Sequence, residues 1–237
     1  MFKVNQLVII AGTSAAGKSF LIDKIRRRSC SRLSEQLGIA DPSAWRYLHA
    51  HELPDISEPI IRRLILHYDL YSEYSPENGF KYLHELISNS DSVIIVTLCV
   101  SLKILIKRKN SRLIRIFTAL LYNPGRNLRR KNPEDNYASL QITPIWESIL
   151  SGLRRVAYSP KAYKRSIYLL RRRWNERNTY KDGVTVLALY DKWFNFINKY
   201  DVMNYWLDSS KSDISIANPY ETDRGNCSLQ INSLIRE

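Results

Sequence analysis

Apolar residues fall in short unbroken runs, separated by stretches in which they recur every three or four positions. This alternation predicts strands and helices taking turns along the chain. Leu7-Val8-Ile9-Ile10-Ala11 has no polar member and reads as a buried strand, and Ser19 to Arg28 sets Phe20, Leu21, Ile22 and Ile25 at helical spacing behind it. Arg62 to Asp69 reads as a further strand, and Trp45 to His49, bracketed by Pro42 and Pro54, as a shorter one. Ser75-Pro76-Glu77 supplies an N-cap, a first-turn proline and an early acid for a helix with Phe80, Leu83 and Ile87 on one face. Ser92 to Leu98 is rich in β-branched residues and predicts a central parallel strand. From Leu102 to about Arg115 the pattern is helical and basic, and Asn123-Pro124-Gly125 breaks it. One further helix is expected near 144–156, and another from the Ser159-Pro160 cap, with Tyr163, Ile167, Leu170 and Trp174 on its core side. Val184 to Lys199 reads as an apolar, aromatic helix and Val202 to Leu207 as the last strand. The residues after Ser209 lack periodicity and read as a loose surface segment.

The expected fold is α/β, with a parallel sheet built from strands near 6–11, 45–50, 62–69, 92–98 and 202–207. The expected divisions are a core at 1–108, a basic helical insertion or lid at 109–182, the last helix and strand at 183–208, and a polar tail at 209–237.

Between the first strand and its helix lies Gly12-Thr13-Ser14-Ala15-Ala16-Gly17-Lys18-Ser19, which fits G-x-x-x-x-G-K-[ST]. The glycines let backbone approach phosphate oxygens without a Cβ clash, so that successive N–H groups and the positive helix end face the anion. Lys18 would reach the β- and γ-phosphates, and the Ser19 hydroxyl would ligate Mg2+. The implied ligand is a nucleoside triphosphate, read as ATP.

Composition narrows the rest. The chain has 237 residues, enough to bury a substantial core, and a net charge of +13. That charge is local, since residues 101–182 hold 20 Lys and Arg against 5 Asp and Glu. Such a segment attracts polyanions: a nucleotide, an anionic substrate, nucleic acid or an acidic membrane surface. The aromatics Tyr122, Tyr137, Tyr158, Tyr163, Tyr168 and Trp174 interleave with its arginines, a mixture suited to base stacking, although Tyr163 and Trp174 read better as core. Cys30, Cys99 and Cys227 are too few and too widely spaced for a disulfide framework or a zinc site. With neither a signal-peptide pattern nor a membrane-length apolar run, the expected location is the cytoplasm.

Asp69 closes a strand, where open parallel sheets present ligand-binding groups. It could hold Mg2+ through water or take a proton from an attacking hydroxyl. His67 shares its face, and reads as a satisfied core residue.

On residues 6–28, and more loosely 62–112, the chain resembles the P-loop nucleotide and small-molecule kinases. The resemblance implies a three-layer P-loop NTPase fold and transfer of a γ-phosphoryl group from ATP to a hydroxyl-bearing acceptor. It also implies that Arg108 and Arg112, four apart on a helix, offset charge on the transferring group. The chain departs from that pattern at Ala15, where many such kinases carry a third glycine, and in residues 113–181, which are longer than a simple lid. Three other readings stand beside it: an ATP-dependent nucleic-acid-binding module, a GTPase reading guanine with Asn198-Lys199-Tyr200-Asp201, and a sulfotransferase-like enzyme.

Overall fold

In a computed structural model, the described residues are 2–29, 31–55, 57–70, 76–122, 183–210 and 220–221, with the helical residues Tyr168, Arg171, Trp174, Asn175 and Asn178. The chain divides into two compact units, one made of residues 1–105 and 182–237, the other of residues 106–181.

The first unit is an α/β fold around a sheet of five parallel strands. These are β1 (Lys3–Gly12), β2 (Arg46–His49), β3 (Ile60–Asp69), β4 (Ser90–Cys99) and β5 (Met203–Asp208), in the spatial order β2-β3-β1-β4-β5. Strand β1 is central because both of its neighbours bury it. Leu7, Val8, Ile9, Ile10 and Ala11 are each at most 1% exposed, which suits a run with no polar alternation. Leu64, Leu66, Ile95 and Val96 continue the same apolar layer into β3 and β4.

Helices follow the strands: α1 (Lys18–Arg26), α2 (Ser31–Gln36), α3 (Pro76–Ser88), α4 (Leu102–Tyr122) and α5 (Val184–Ile197). Helix α1 sends Leu21 and Ile25 inward, while Phe20 stays half exposed and carries Lys24 over its ring. Helix α5 is apolar on most sides because it is buried on most sides, with Val186, Tyr190, Trp193 and Ile197 all inside.

Several expectations need adjustment. Helix α4 runs on past Arg115 to Tyr122, since nothing before Asn123 interrupts its backbone bonding. The short helix α2 and the 3-10 turns at Pro42–Ala44 and Ala50–Asp55 fall where periodicity is too brief to read. After Ser209 the segment is not wholly loose: Tyr220–Glu221 forms β6, antiparallel to β5 through Trp206 and Tyr205. Trp174 is no core residue, being 53% exposed. The helices expected near 144–156 and from Ser159-Pro160 to Leu170, the Asn123-Pro124-Gly125 break and the Ser75 cap lie outside the described residues, as do Cys30, Cys227, Tyr137, Tyr158 and Tyr163. Among the described residues, no helix is long and apolar enough to cross a membrane.

Candidate functional site

The chain leaves β1, visits β2 at the far edge, returns in β3 beside β1, and then crosses to β4 on the other side of β1. Strand order therefore reverses around β1, and open parallel sheets form their ligand crevice at such a reversal, beyond the carboxyl ends of the strands. The Gly12–Ser19 segment emerges from β1 at that place. Asp69 stands level with Gly12 on β3, and Leu98 level with it on β4.

The loop takes its shape from backbone conformations that side chains resist. Gly17 is left-handed at φ 101 and ends the loop by capping α1 without a side chain. Ala15, at φ 70, occupies a left-handed conformation that usually falls to glycine, with a Cβ in place. Gly12 is required by contact: a Cβ there would lie 2.9 Å from the Leu98 carbonyl oxygen and 3.1 Å from the Ala16 Cβ. The Ala16 N–H turns back to the Thr13 carbonyl at 3.0 Å, closing the bend.

Lys18 is the chemical centre. Its side chain is only 3% exposed, yet its ammonium is well supplied with acceptors. It donates to the carbonyls of Gly12 and Thr13, each at 2.7 Å, and Asp69 Oδ2 lies 3.5 Å away. A buried ammonium is tolerated only when its protons are accepted in this way. The Leu70 N–H also donates to the Gly12 carbonyl at 3.1 Å, tying the end of β3 to the loop. Ser19, on the first turn of α1, is exposed, and that turn carries no acidic side chain. The result is a bend of backbone with a cation at its base, an open hydroxyl and one carboxylate beside it. Ser19 and Asp69, both oxygen donors, suit a hard divalent cation.

Helix α5 braces the loop from below. The buried Tyr190 hydroxyl donates to the Leu98 carbonyl at 2.7 Å and lies 3.4 Å from the fully buried Thr13 hydroxyl. Burial raises the Tyr190 pKa well above the usual phenol value, so the phenol keeps its proton for that bond. One helical turn on, Trp193 Nε1 donates to Thr97 Oγ1 at 2.8 Å and its ring stacks on Tyr68 at 5.2 Å. Sequence reading gave these residues no role. The available signal was an all-apolar helix carrying a Tyr and a Trp, whose polar atoms need partners once buried.

A histidine group adjoins the site on its β2 side. His49 and His67 face each other across β2 and β3, with their Nδ1 atoms 2.6 Å apart, so one ring donates and the other accepts. His51 stacks on His49 at 5.3 Å. Neighbours strip water from the His49 ring and lower its pKa, and His51 and Lys18 add to the effect, against Glu52 and Asp69. His67 is half-buried and partnered, as expected of a satisfied residue, but the partner is a second histidine that the spacing did not reveal.

The other expected site residues fall on other elements. Arg108 and Arg112 are both on α4, half-buried and four residues apart, and belong to the second unit. Asn198 ends α5, and Lys199 and Tyr200 turn the chain into β5. In a parallel sheet this places Asn198-Lys199-Tyr200-Asp201 at the amino end of β5, the edge opposite the Gly12–Ser19 loop. Ser209 and Ser210 follow the carboxyl end of β5, where Ser209 donates to the Cys99 carbonyl at 2.9 Å and Ser210 accepts from the Ser101 N–H at 2.7 Å. Compared with known proteins, the chain matches no protein family, no curated protein and no solved structure.

Proposed function

We propose that the chain binds a nucleoside triphosphate, ATP, at Gly12–Ser19 and transfers its γ-phosphoryl group to a hydroxyl-bearing small-molecule acceptor. The observation that carries this reading is the Lys18 ammonium, buried at the base of the bend and held 3.5 Å from Asp69. On this reading the chain has a P-loop NTPase fold, and the backbone amides from Thr13 to Ser19 surround the phosphates. Lys18 moves its donors from the Gly12 and Thr13 carbonyls to phosphate oxygens, which are stronger acceptors because they are charged.

Mg2+, when bound, would be held by Ser19 and Asp69 and would supply charge neutralisation to the phosphates. The acceptor oxygen forms a bond to the γ-phosphorus as the bond to the bridging oxygen breaks and the nucleoside diphosphate leaves. Asp69, level with Gly12, is the group that takes the hydroxyl proton or orients the acceptor. By resemblance Arg108 and Arg112 offset the developing charge. A guanine-reading role for Asn198-Lys199-Tyr200-Asp201 fits less well, since that tetrad sits at the other edge of the sheet. A sulfotransferase-like reaction would leave the Lys18-Ser19 pair without its triphosphate role.

The test is incubation of the protein with γ-labelled Mg-ATP and a panel of nucleosides, sugars and polynucleotides. Label in a small molecule is the expected result. Label released only as free phosphate, or only when polymer is present, would replace this reading with a hydrolase or an ATP-dependent binding module.

A further inference from the structure

Tyr190 is buried on α5, where its ring stacks on Phe194 at 6.4 Å, and a phenylalanine would fill the same space. A core gains little from a buried hydroxyl, because the bond made inside largely replaces one made to water. The two contacts of this hydroxyl leave the core for the Gly12–Ser19 bend. Tyr190 donates to the Leu98 carbonyl at 2.7 Å, and a carbonyl can only accept. The phenol proton is thereby used, so in the 3.4 Å contact the Thr13 hydroxyl is the donor and the phenol oxygen the acceptor. One oxygen joins the end of β4 to the second residue of the bend.

Thr13 is the node of that bend. Its side chain is fully buried, and its carbonyl accepts from the Ala16 N–H at 3.0 Å and from Lys18 Nζ at 2.7 Å. Any rotation of Thr13 would disturb both bonds and re-aim the amides that follow. Leu98 stands level with Gly12, and its carbonyl oxygen is the atom that a Cβ at Gly12 would meet at 2.9 Å. Tyr190 thus holds the bend and the strand end beneath it together.

We infer that Tyr190 is a positioning residue for the Gly12–Ser19 bend: its hydroxyl fixes Thr13 and keeps the bend shaped for an anion before the anion arrives. This rests on the triphosphate reading of that bend. A bend ordered in advance spares the ligand the cost of ordering it. Tyr190 acts through Thr13 and not on the ligand itself. Trp193, one turn further along α5 and equally buried, gives the comparison, since its Nε1 donates to Thr97 Oγ1 at 2.8 Å, a bond between α5 and β4 that includes no residue of the bend.

The experiment is calorimetric titration of the full chain with Mg-ATP and with magnesium tripolyphosphate, which lacks the nucleoside and reports on the bend alone. The variants are Tyr190→Phe, Thr13→Val, the two combined, and Trp193→Phe, each shown to be folded by circular dichroism and each with its Tm recorded. Tyr190→Phe should weaken both ligands by about 2-fold to 12-fold. Thr13→Val should fall in the same range, and the combined variant should lose no more than the weaker single one, because both remove one contact. Trp193→Phe should lower Tm and bind both ligands as the parent does. A hydroxyl with a merely structural role would lower Tm in Tyr190→Phe and leave both affinities unchanged, and that result would overturn the inference. Equal loss of affinity in Trp193→Phe, or single losses that multiply in the combined variant, would overturn it too. A parent chain that takes up neither ligand would end the triphosphate reading itself, and the positioning role with it.

Discussion

Gly12 gives the sharpest test of how the loop is built. Replacing it with alanine places a Cβ 2.9 Å from the Leu98 oxygen and 3.3 Å from the Leu98 Cβ, well inside ordinary contact. Neither side can yield cheaply. Leu98 is laddered against Gly12 across β1 and β4, and its oxygen is held by the Tyr190 hydroxyl at 2.7 Å. Overpacking of this kind costs about 1–3 kcal/mol. The positive φ of 155 adds about 1–2 kcal/mol of backbone strain, and a stiffer unfolded chain returns about 0.4–1 kcal/mol, for a net cost of about 1–4.5 kcal/mol.

Gly38 is the natural control. It has a left-handed φ of 66 but no atom within 4 Å of a built Cβ. Gly38→Ala therefore bears only the left-handed strain of about 1–2 kcal/mol, offset by about 0.4–1 kcal/mol from a stiffer unfolded chain. For a chain of this size each kcal/mol shifts Tm by about 2–4 °C. Melting followed by circular dichroism should show a drop of about 2–18 °C for Gly12→Ala and a smaller one of about 0–6 °C for Gly38→Ala. Only the first should also weaken ATP binding. If the two variants melt together, or Gly12→Ala binds ATP as well as the parent, the close approach of Leu98 is not what requires glycine.

Other predictions follow from the same geometry. Tyr190→Phe removes the donor to the Leu98 carbonyl and should cost about 1–3 kcal/mol by chemical denaturation, whereas Tyr200→Phe, whose hydroxyl meets His84 in a more exposed place, should cost less. Ala15→Gly relieves about 1–2 kcal/mol of left-handed strain but loosens the unfolded chain by about 0.4–1 kcal/mol, so stability should rise by between about 0 and 1.5 kcal/mol, read from the same melts. His49 has its folded pKa lowered below 6.5 by desolvation, so as pH falls through 6.5 the unfolded chain takes up a proton that the folded one refuses. Tm should therefore decline from pH 7 toward acid, and His49→Gln should flatten that part of the profile.

Much of the sheet was legible because parallel strands buried on both faces leave unbroken apolar runs. Leu7 to Ala11 and, within Ser92 to Leu98, Val93 to Val96 are such runs, and both sit in the centre. The tight bend at Gly12–Ser19 was legible for a different reason: the G-x-x-x-x-G-K-[ST] pattern depends on residue types at fixed local spacing. Asp69 was readable from its place at the end of a strand, but its distance to Lys18 was not, because register between β1 and β3 is a tertiary choice. The same holds for the His49–His67 pair and for Tyr190, which meets Thr13 from 177 residues away in sequence. Trp174 misled because helical periodicity reports where apolar residues recur, not how exposed each of them is left.

Calorimetric titration of Mg-ATP into the parent chain and into Lys18→Met tests the central claim most directly. The Lys18 ammonium, which rests on the Gly12 and Thr13 carbonyls, is read as a phosphate donor in waiting. Losing a charged donor of this kind is worth about 1.5–3 kcal/mol, so affinity should fall by about 10-fold to 150-fold in a variant that circular dichroism shows to be folded. A parent chain that takes up no ATP, or a variant that binds it equally well, would contradict the account.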